Sequence, residues 1–172
     1  MKPLEPLIHD VQDFPRKGIV FKDFTPLLAD PAGLALAVEL MVNPYRVQDV
    51  DLVVGAESRG FIFGTAISRE LSAGFIPVRK PGKLPRATHA VEYELEYGRD
   101  RLEIHADAIG PGDKVLLVDD LLATGGTLVA CSELIRRAGG TIVGITVLIE
   151  LTALQGRRRL APHGEVHAVL QY

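Results

Sequence analysis

The chain has 172 residues, which at about 150 residues per domain predicts a single domain. It is 47% hydrophobic and carries 19 Lys+Arg against 22 Asp+Glu, so the net charge of −3 disfavours binding to nucleic acid through phosphate neutralisation. The one cysteine, Cys131, excludes an internal disulfide and a cysteine-based zinc site. The first residues lack the apolar stretch of a secretory signal, and no apolar run approaches the roughly 18 residues that span a bilayer. We therefore expect a cytoplasmic protein that contacts neither nucleic acid nor membrane.

The first third of the chain combines short elements with proline-containing loops. Apolar residues over positions 4–11 recur at the spacing of a short amphipathic helix. A loop over residues 13–18 then leads into an extended segment at residues 19–23. Asp30-Pro31 is typical of a helix start, and this helix should end near Asn43-Pro44.

From residue 51 onward, strands and helices alternate. Short apolar runs predict buried strands over residues 51–55, 75–78, 115–118 and 141–149. Helices are predicted over residues 60–71 and 127–138. Residues 91–97 alternate between apolar and acidic side chains, and with residues 102–104 they predict a hairpin that turns at residues 98–100. This order favours an α/β fold with an open, mostly parallel sheet flanked by helices, from which a hairpin over about residues 80–105 protrudes.

The segment over residues 115–127 carries the strongest chemical signal. Its strand ends in Asp119 and Asp120, and a turn of small residues then begins a helix. Ligands of open parallel sheets bind beyond the carboxyl ends of the strands. Glycine N–H groups, threonine hydroxyls and a helix N-terminus suit a phosphate, whereas two carboxylates suit a sugar diol with Mg²⁺ nearby. The segment therefore predicts a ribose-5-phosphate site. The alternative is a strand–turn–helix in which the aspartates only cap and the glycines only turn.

The same segment resembles the phosphoribosyl-pyrophosphate (PRPP) motif of the type I phosphoribosyltransferases. The similarity covers nearly the whole chain through the segments at residues 13–23, 57–61, 79–85, 95–98 and 150–152. The aromatic-containing entry segment and Leu-Glu-Tyr-Gly narrow it to the branch that acts on adenine. The resemblance implies the type I phosphoribosyltransferase fold, dependence on Mg²⁺, a homodimer, and the reaction of adenine with PRPP to give AMP and pyrophosphate. It also implies one domain over residues 1–172, with base recognition in about residues 1–30 and a flexible lid at about residues 80–105.

The resemblance assigns roles to individual residues. Ribose and 5′-phosphate would be bound by Asp119, Asp120, Ala123, Thr124, Gly125, Gly126 and Thr127. Adenine would be bound by Val20, Phe21, Lys22 and Leu151. Pyrophosphate would be bound by Ser58, Arg59, Arg79, Lys80 and Lys83.

Three residues receive catalytic roles from the same resemblance. Glu96, at the hairpin tip, would accept the proton that adenine sheds at N7 while N9 attacks the anomeric carbon. Tyr97 would shield the reacting centre, and Arg59 would hold the leaving pyrophosphate. This chain has Glu57 where many members carry aspartate, and Lys22 where arginine is frequent, so the role of Glu57 is open.

Each of these roles has a simpler structural alternative. Arg59 could form a surface salt bridge, and the basic residues 79–86 could be a solvated loop. Phe21 and Leu151 could be core residues, and Glu96 could lie on a solvated strand edge. Residues 157–159, three consecutive arginines, match no anion motif and are expected on a solvated helix face.

Two other functions compete with this interpretation. A purine- or PRPP-sensing regulator could keep the fold without the chemistry, but it would be expected to carry an added DNA-binding region. A transferase for another nucleobase is the other alternative. The hypoxanthine-guanine branch usually has Glu-Asp in the motif and a lysine on the base side, where this chain has Asp119-Asp120 and Glu150-Leu151.

Overall fold

The computed structural model describes residues 3–95 and 98–172 and divides into two compact units, Met1–Leu40 and Met41–Tyr172. The first unit contains a 3₁₀ turn at Glu5–Leu7, strands β1 (His9–Gln12) and β2 (Val20–Asp23), and helices α1 (Thr25–Ala29) and α2 (Pro31–Val42), whose last two residues belong to the second unit. The predicted extended segment and the helix from Asp30-Pro31 to Asn43-Pro44 are thus confirmed, whereas helix α1 was not predicted.

The helix predicted over residues 4–11 is wrong. Only one 3₁₀ turn forms, and the chain then extends into β1, which pairs antiparallel with β2 so that Val11 lies opposite Phe21. The apolar spacing was misleading because Leu4 and Ile8 are buried, whereas Val11 is exposed on the strand.

The second unit is built on one parallel sheet. Its strands and the adjoining hairpin strands are β3 (Leu52–Ala56), β4 (Gly74–Val78), β5 (Thr88–Leu95), β6 (Gly98–His105), β7 (Lys114–Leu122), β8 (Thr141–Glu150) and β9 (Val166–Gln171). Its remaining helices are α3 (Gly60–Leu71), α4 (Gly126–Arg137) and α5 (Gly156–Leu160), with 3₁₀ turns at Asn43–Tyr45 and Thr152–Leu154. The five-stranded sheet has the order β4-β3-β7-β8-β9, and every pair in it is parallel. The predicted open sheet flanked by helices is confirmed.

The antiparallel pair β5–β6 forms the predicted hairpin, with Val91 opposite Leu102. The predicted turn residues 98–100 lie within β6. Val91, Leu102 and Ile104 are buried in one cluster with the sheet and α4, so this part of the hairpin is anchored in the core. Glu96 and Tyr97 lie outside the described residues, and a lid role for the hairpin stays a prediction.

The parallel arrangement decides where a site can form. The carboxyl ends of β3, β7 and β8 meet at one edge of the sheet, because neighbouring parallel strands run in the same direction. The predicted phosphate residues 123–127 follow β7, and Ser58 and Arg59 follow β3, whereas Asp119 and Asp120 lie within the last residues of β7. The other predicted pyrophosphate residues follow β4. Within the described residues, no helix has both the length and the apolar character needed to cross a membrane.

Candidate active site

Strand β7 carries two adjacent buried carboxylates. The strand continues through Leu122, four residues beyond its predicted end, so Asp119 and Asp120 lie inside it. Asp119 Oδ1 accepts a hydrogen bond of 2.9 Å from the Asp120 N–H. Helix α3 begins against this carboxylate: a Cβ on Gly60 would lie 2.9 Å from Asp119 Oδ1. Glycine at position 60 is therefore what lets the start of α3 approach the acid pair, a requirement that the sequence analysis missed.

The two carboxyl groups differ in their surroundings. Burial, together with the neighbouring Asp120 charge, raises the pKa of Asp119 well above its ordinary value. Burial also raises the pKa of Asp120, but the Arg59 charge opposes this shift because Arg59 Nε lies 2.9 Å from Asp120 Oδ2. Among the described residues none donates a well-aligned hydrogen bond to that oxygen, although it is buried. A ligand hydroxyl is the kind of donor that such an oxygen needs.

The turn after β7 has the backbone geometry of an anion cradle. Gly125 has φ +83° and precedes α4, and no side chain caps this helix. The first N–H groups of a helix have no acceptor within it, and the helix dipole adds partial positive charge there. Residues 121–128 line an open cavity of about 80 Å³. The predicted phosphate residues 123–127 are thus brought together as one loop.

Glu57 joins two of the predicted pyrophosphate residues. Its Oε2 accepts hydrogen bonds from Arg79 Nε at 3.1 Å and from the Lys80 backbone N–H at 2.7 Å. Burial raises the pKa of Glu57, but these hydrogen bonds and the charges of Arg79 and Lys83 outweigh it and leave the pKa below its ordinary value. The open question about Glu57 has a structural answer: its carboxylate holds the start of the basic segment beside β3.

The basic segment is otherwise held by the hairpin. Lys80 Nζ lies 3.3 Å from Asp100 Oδ2, which also accepts a hydrogen bond of 3.3 Å from the Tyr93 hydroxyl. Burial raises the pKa of Tyr93, although the Thr127 side chain opposes this shift. Tyr93 therefore supports Asp100, the residue that pairs with Lys80, and neither Tyr93 nor Asp100 was predicted as a site residue.

The remaining basic side chains and Ser58 are more exposed. Ser58 and Lys83 lie on the surface, and Arg59 is 44% exposed although it pairs with Asp120. Arg86, the fourth cation of the segment, forms a surface pair with Asp107 at 2.9 Å.

Three of the four predicted adenine residues belong to the first unit. The Phe21 ring packs edge-on against Phe14, with centroids 5.2 Å apart at 74°. Lys22 Nζ pairs with Asp10 Oδ1 at 2.7 Å, and Val20 is exposed. The fourth, Leu151, belongs to the second unit, where its N–H donates to the Leu122 carbonyl at 2.9 Å.

The solvated helix face expected at residues 157–159 is wrong for Arg157, which is half-buried, whereas Arg158 and Arg159 are exposed as expected. Arg157 donates through Nε to Glu150 Oε1 at 3.0 Å, through a second nitrogen to Glu150 Oε2, and to the Val166 carbonyl. Glu150 is buried, so this pair ties α5 to the ends of β8 and β9. Arg159 Nη1 donates to the Thr124 carbonyl at 3.3 Å. The contacts of Arg157 and Arg159 leave no local signal in the sequence, whereas Arg158 bonds to Gln155 on the surface.

The acid pair of β7 supplies part of the ligand set that a metal ion needs. Over residues 3–95 and 98–172, no three His, Cys, Asp or Glu side chains gather closely enough to hold a metal ion. Asp119 and Asp120 supply carboxylate oxygens, which suit Mg²⁺, but only two residues do so. The donor chemistry fits an ion whose remaining ligands come from a substrate.

Comparisons with known proteins agree with this geometry. A family model described as a phosphoribosyl transferase domain matches residues 25–165. The adenine phosphoribosyltransferase of Acaryochloris marina is 54% identical over 98% of this chain and 99% of its own length, and that of Rhodopirellula baltica is 54% identical over 96% and 80%.

Solved structures extend the likeness to the fold. The crystal structure of adenine phosphoribosyltransferase from Rhodothermus marinus superposes with a TM-score of 0.94 at 55% identity, covering 98% of this chain and 96% of that one. The Giardia lamblia enzyme, solved with 9-deazaadenine, gives a TM-score of 0.92 at 39% identity with the same coverage. The chain therefore belongs to the phosphoribosyltransferase family and, within it, to the adenine phosphoribosyltransferases.

Proposed function

We propose that this chain catalyses the reaction of adenine with PRPP to give AMP and pyrophosphate, a purine-salvage reaction. Adenine N9 forms a bond to C1′ of the ribose as the bond from C1′ to pyrophosphate breaks, and adenine gives up one proton. The single observation that carries this proposal is the buried acid pair of β7 beside a glycine-threonine loop that begins an uncapped helix. Relatives that are more than 50% identical over nearly the whole chain support adenine as the base.

In this proposal each part of β7 and its loop binds a different part of the sugar phosphate. Asp119 and Asp120 accept hydrogen bonds from the ribose hydroxyls, and the buried Oδ2 of Asp120 is one acceptor. Residues 123–127 donate N–H and hydroxyl groups to the 5′-phosphate. Holding the sugar at both ends orients C1′ for attack, which supplies much of the rate enhancement in reactions of this kind.

The leaving group and the base are assigned to other segments. Ser58, Arg59, Arg79, Lys80 and Lys83 hold pyrophosphate, and the hydrogen bonds of Glu57 orient two of them. Val20, Phe21, Lys22 and Leu151 bind adenine, with the Phe21 ring stacked on the base. Arg59 contributes to two parts of the site: it pairs with Asp120 beside the ribose, and it holds the leaving pyrophosphate.

Glu96 accepts the adenine proton and Tyr97 shields the reacting centre from water; the support for both is the sequence resemblance. When bound, Mg²⁺ neutralises charge on the pyrophosphate oxygens. Asp119 and Asp120 would hold it together with substrate oxygens. We also propose a homodimer, on the resemblance alone, and a cytoplasmic location, on the sequence features given above.

The test is an assay of the purified chain with Mg²⁺ and PRPP against adenine, hypoxanthine, guanine, xanthine and uracil. We expect AMP from adenine and no nucleotide from the others. If another base is turned over instead of adenine, that base is the substrate. If PRPP binds but no base is turned over, the result would favour a purine- or PRPP-sensing regulator.

Glu96→Gln tests the proposed base. The amide cannot accept the proton, so kcat should fall at least about a hundredfold while the KM for adenine changes little. Steady-state kinetics with adenine as the varied substrate measures both. An unchanged kcat would remove Glu96 from the mechanism.

A further inference from the structure

Helix α5 lies directly behind the loop that binds the 5′-phosphate in the proposed function. A Cβ on Gly156 would collide with the Ala123 carbonyl oxygen and lie 2.7 Å from Leu122 Cδ1 and 3.1 Å from Gly125 N. From the other side, a Cβ on Gly125 would lie 3.0 Å from the Gly156 carbonyl oxygen. The two backbones are therefore in direct contact, and neither glycine leaves room for a side chain.

A second contact from α5 reaches the next peptide of the loop. Arg159 Nη1 donates to the carbonyl oxygen of Thr124, which belongs to the same peptide unit as the Gly125 N–H. A cationic donor on a carbonyl polarises that peptide and makes its N–H a stronger donor to an anion. The arginine also adds positive charge beside the loop.

The helix that makes these contacts is fixed in the protein. Arg157 forms a two-pronged ion pair with Glu150, which is 4% exposed, and donates to the Val166 carbonyl. Leu160 at the end of α5 is fully buried in the core cluster. Helix α5 thus provides a rigid support and not a mobile surface turn.

We infer that Gly156 and Arg159 are positioning residues for PRPP: they hold residues 123–125 in the shape that receives the 5′-phosphate. This inference rests on the proposed function and adds residues outside the PRPP motif to it. Because the 5′-phosphate is remote from the bond that breaks, a distorted loop should weaken binding of the ground state and the transition state alike. Loss of either contact should therefore raise KM for PRPP more than it lowers kcat.

The first test replaces Arg159. Arg159→Ala should raise the KM for PRPP about three- to tenfold, as expected for one charged hydrogen bond, with kcat and the KM for adenine within about twofold. Arg159→Lys should recover most of the loss because lysine can still donate to the Thr124 carbonyl. The matched control is Arg158→Ala, which removes the same charge from the same helix without touching the loop.

The second test replaces Gly156. Gly156→Ala should raise the KM for PRPP at least about tenfold, because the methyl group must displace the Ala123 peptide. Gly164→Ala is the control, since a Cβ there would meet only ordinary contacts from 3.4 Å outward. Calorimetric titration with ribose 5-phosphate measures binding at the loop without catalysis. The affinities of the variants for ribose 5-phosphate should fall in the same order as their KM values for PRPP rise.

The outcomes separate the two levels of inference. A wild-type chain without adenine-dependent turnover would overturn the proposed function. If the wild type is fully active but Arg159→Ala and Arg158→Ala have the same PRPP kinetics and the same affinity for ribose 5-phosphate, the positioning role of Arg159 is overturned. The proposed reaction would stand in that case. If Gly156→Ala does not fold, the arginine series alone decides.

Discussion

The buried acid pair illustrates a conflict between stability and function at the scale of single residues. Asp119 and Asp120 are 8% and 4% exposed and are adjacent in one strand, so their ionised forms are both desolvated and mutually repulsive. The positive charge of Arg59 stabilises the ionised form of Asp120, but Arg59 is itself partly exposed. Such an arrangement costs folding free energy and is understandable only if a ligand uses the two carboxylates.

Asp119→Asn should therefore stabilise the ligand-free chain while removing activity. Burial raises the pKa of Asp119, so the folded protein holds more protons than the unfolded chain above the ordinary aspartate value of 3.8, and its stability falls as pH rises from there. The asparagine does not ionise and can still accept from the Asp120 N–H. We expect the unfolding free energy of Asp119→Asn to exceed that of the wild type by on the order of 1 kcal/mol near pH 7. This difference should shrink toward zero at pH values below the ordinary pKa of aspartate.

Urea denaturation across pH measures this difference, and PRPP kinetics on the same variant should show kcat/KM reduced at least about tenfold. A variant that is less stable than wild type at pH 7 would contradict the assignment of a destabilising charge.

Glu57 shows the opposite case, in which a carboxylate stabilises the fold. Its lowered pKa means that its contribution is present above the ordinary value of 4.5 and is lost as pH falls through the lowered pKa. Glu57→Gln should lower the unfolding free energy by about 1 kcal/mol near pH 7, with the difference disappearing in acid. It should also raise the KM for PRPP, because Arg79 and the Lys80 N–H keep only a neutral amide oxygen in place of a charged acceptor.

The matched control for Glu57→Gln is Glu70→Gln, which removes the same charge from a surface pair with Arg46 at 3.3 Å. Exposed pairs contribute little, so thermal unfolding and kinetics of this control should resemble the wild type. Equal losses in the two variants would mean that Glu57 acts only through net charge.

At the scale of elements, the central part of the fold was predictable because local signals and tertiary structure agree there. The pattern for α3 gave its observed bounds, and α4 buries Leu128, Cys131, Leu134 and Ile135, as its spacing predicted. The helix at residues 4–11 failed because pairing with β2 overrode a local pattern. The contact of α5 with the loop after β7 was not predictable, since Arg159 and Thr124 are 35 positions apart in sequence.

Helix α4 should be the element on which stability depends most clearly. Leu134 is fully buried between the helix and the sheet, so Leu134→Ala should cost about 2–5 kcal/mol of unfolding free energy through lost contacts and a cavity. Its neighbour Glu133 is half-exposed and forms an i,i+4 pair with Arg137 at 3.6 Å, so Glu133→Ala should change the unfolding free energy by no more than about 0.5 kcal/mol. Chemical denaturation of both variants tests the core; similar losses would mean that this face of α4 is not buried.

At the scale of the whole molecule, the proposed substrates are divided between the two compact units. The motif for the sugar phosphate and the basic residues for pyrophosphate belong to Met41–Tyr172, whereas Val20, Phe21 and Lys22 belong to Met1–Leu40. Because the two sets of residues differ in chemistry, we expect the two substrates to be recognised separately. Charged and hydrogen-bonding groups would bind PRPP, and an aromatic ring would bind adenine. Leu151, the fourth adenine residue, belongs to the second unit, so the prediction of an effect on one substrate holds for the first unit: substitutions there should affect adenine and not the sugar phosphate.

Phe21→Ala tests this division on the full chain. Loss of a stacking ring is worth about 1–3 kcal/mol per base, so the KM for adenine should rise roughly fivefold to a hundredfold. Calorimetric binding of ribose 5-phosphate should remain at the wild-type value, because no predicted contact to the sugar phosphate lies in the first unit. Phe14→Ala is the matched control: Phe14 is 51% exposed and contacts the Phe21 ring edge-on, so its removal should raise the KM for adenine by a smaller factor. If Phe21→Ala weakens ribose 5-phosphate binding as much as adenine use, base and sugar are not recognised separately, and the aromatic ring serves the fold instead of the substrate.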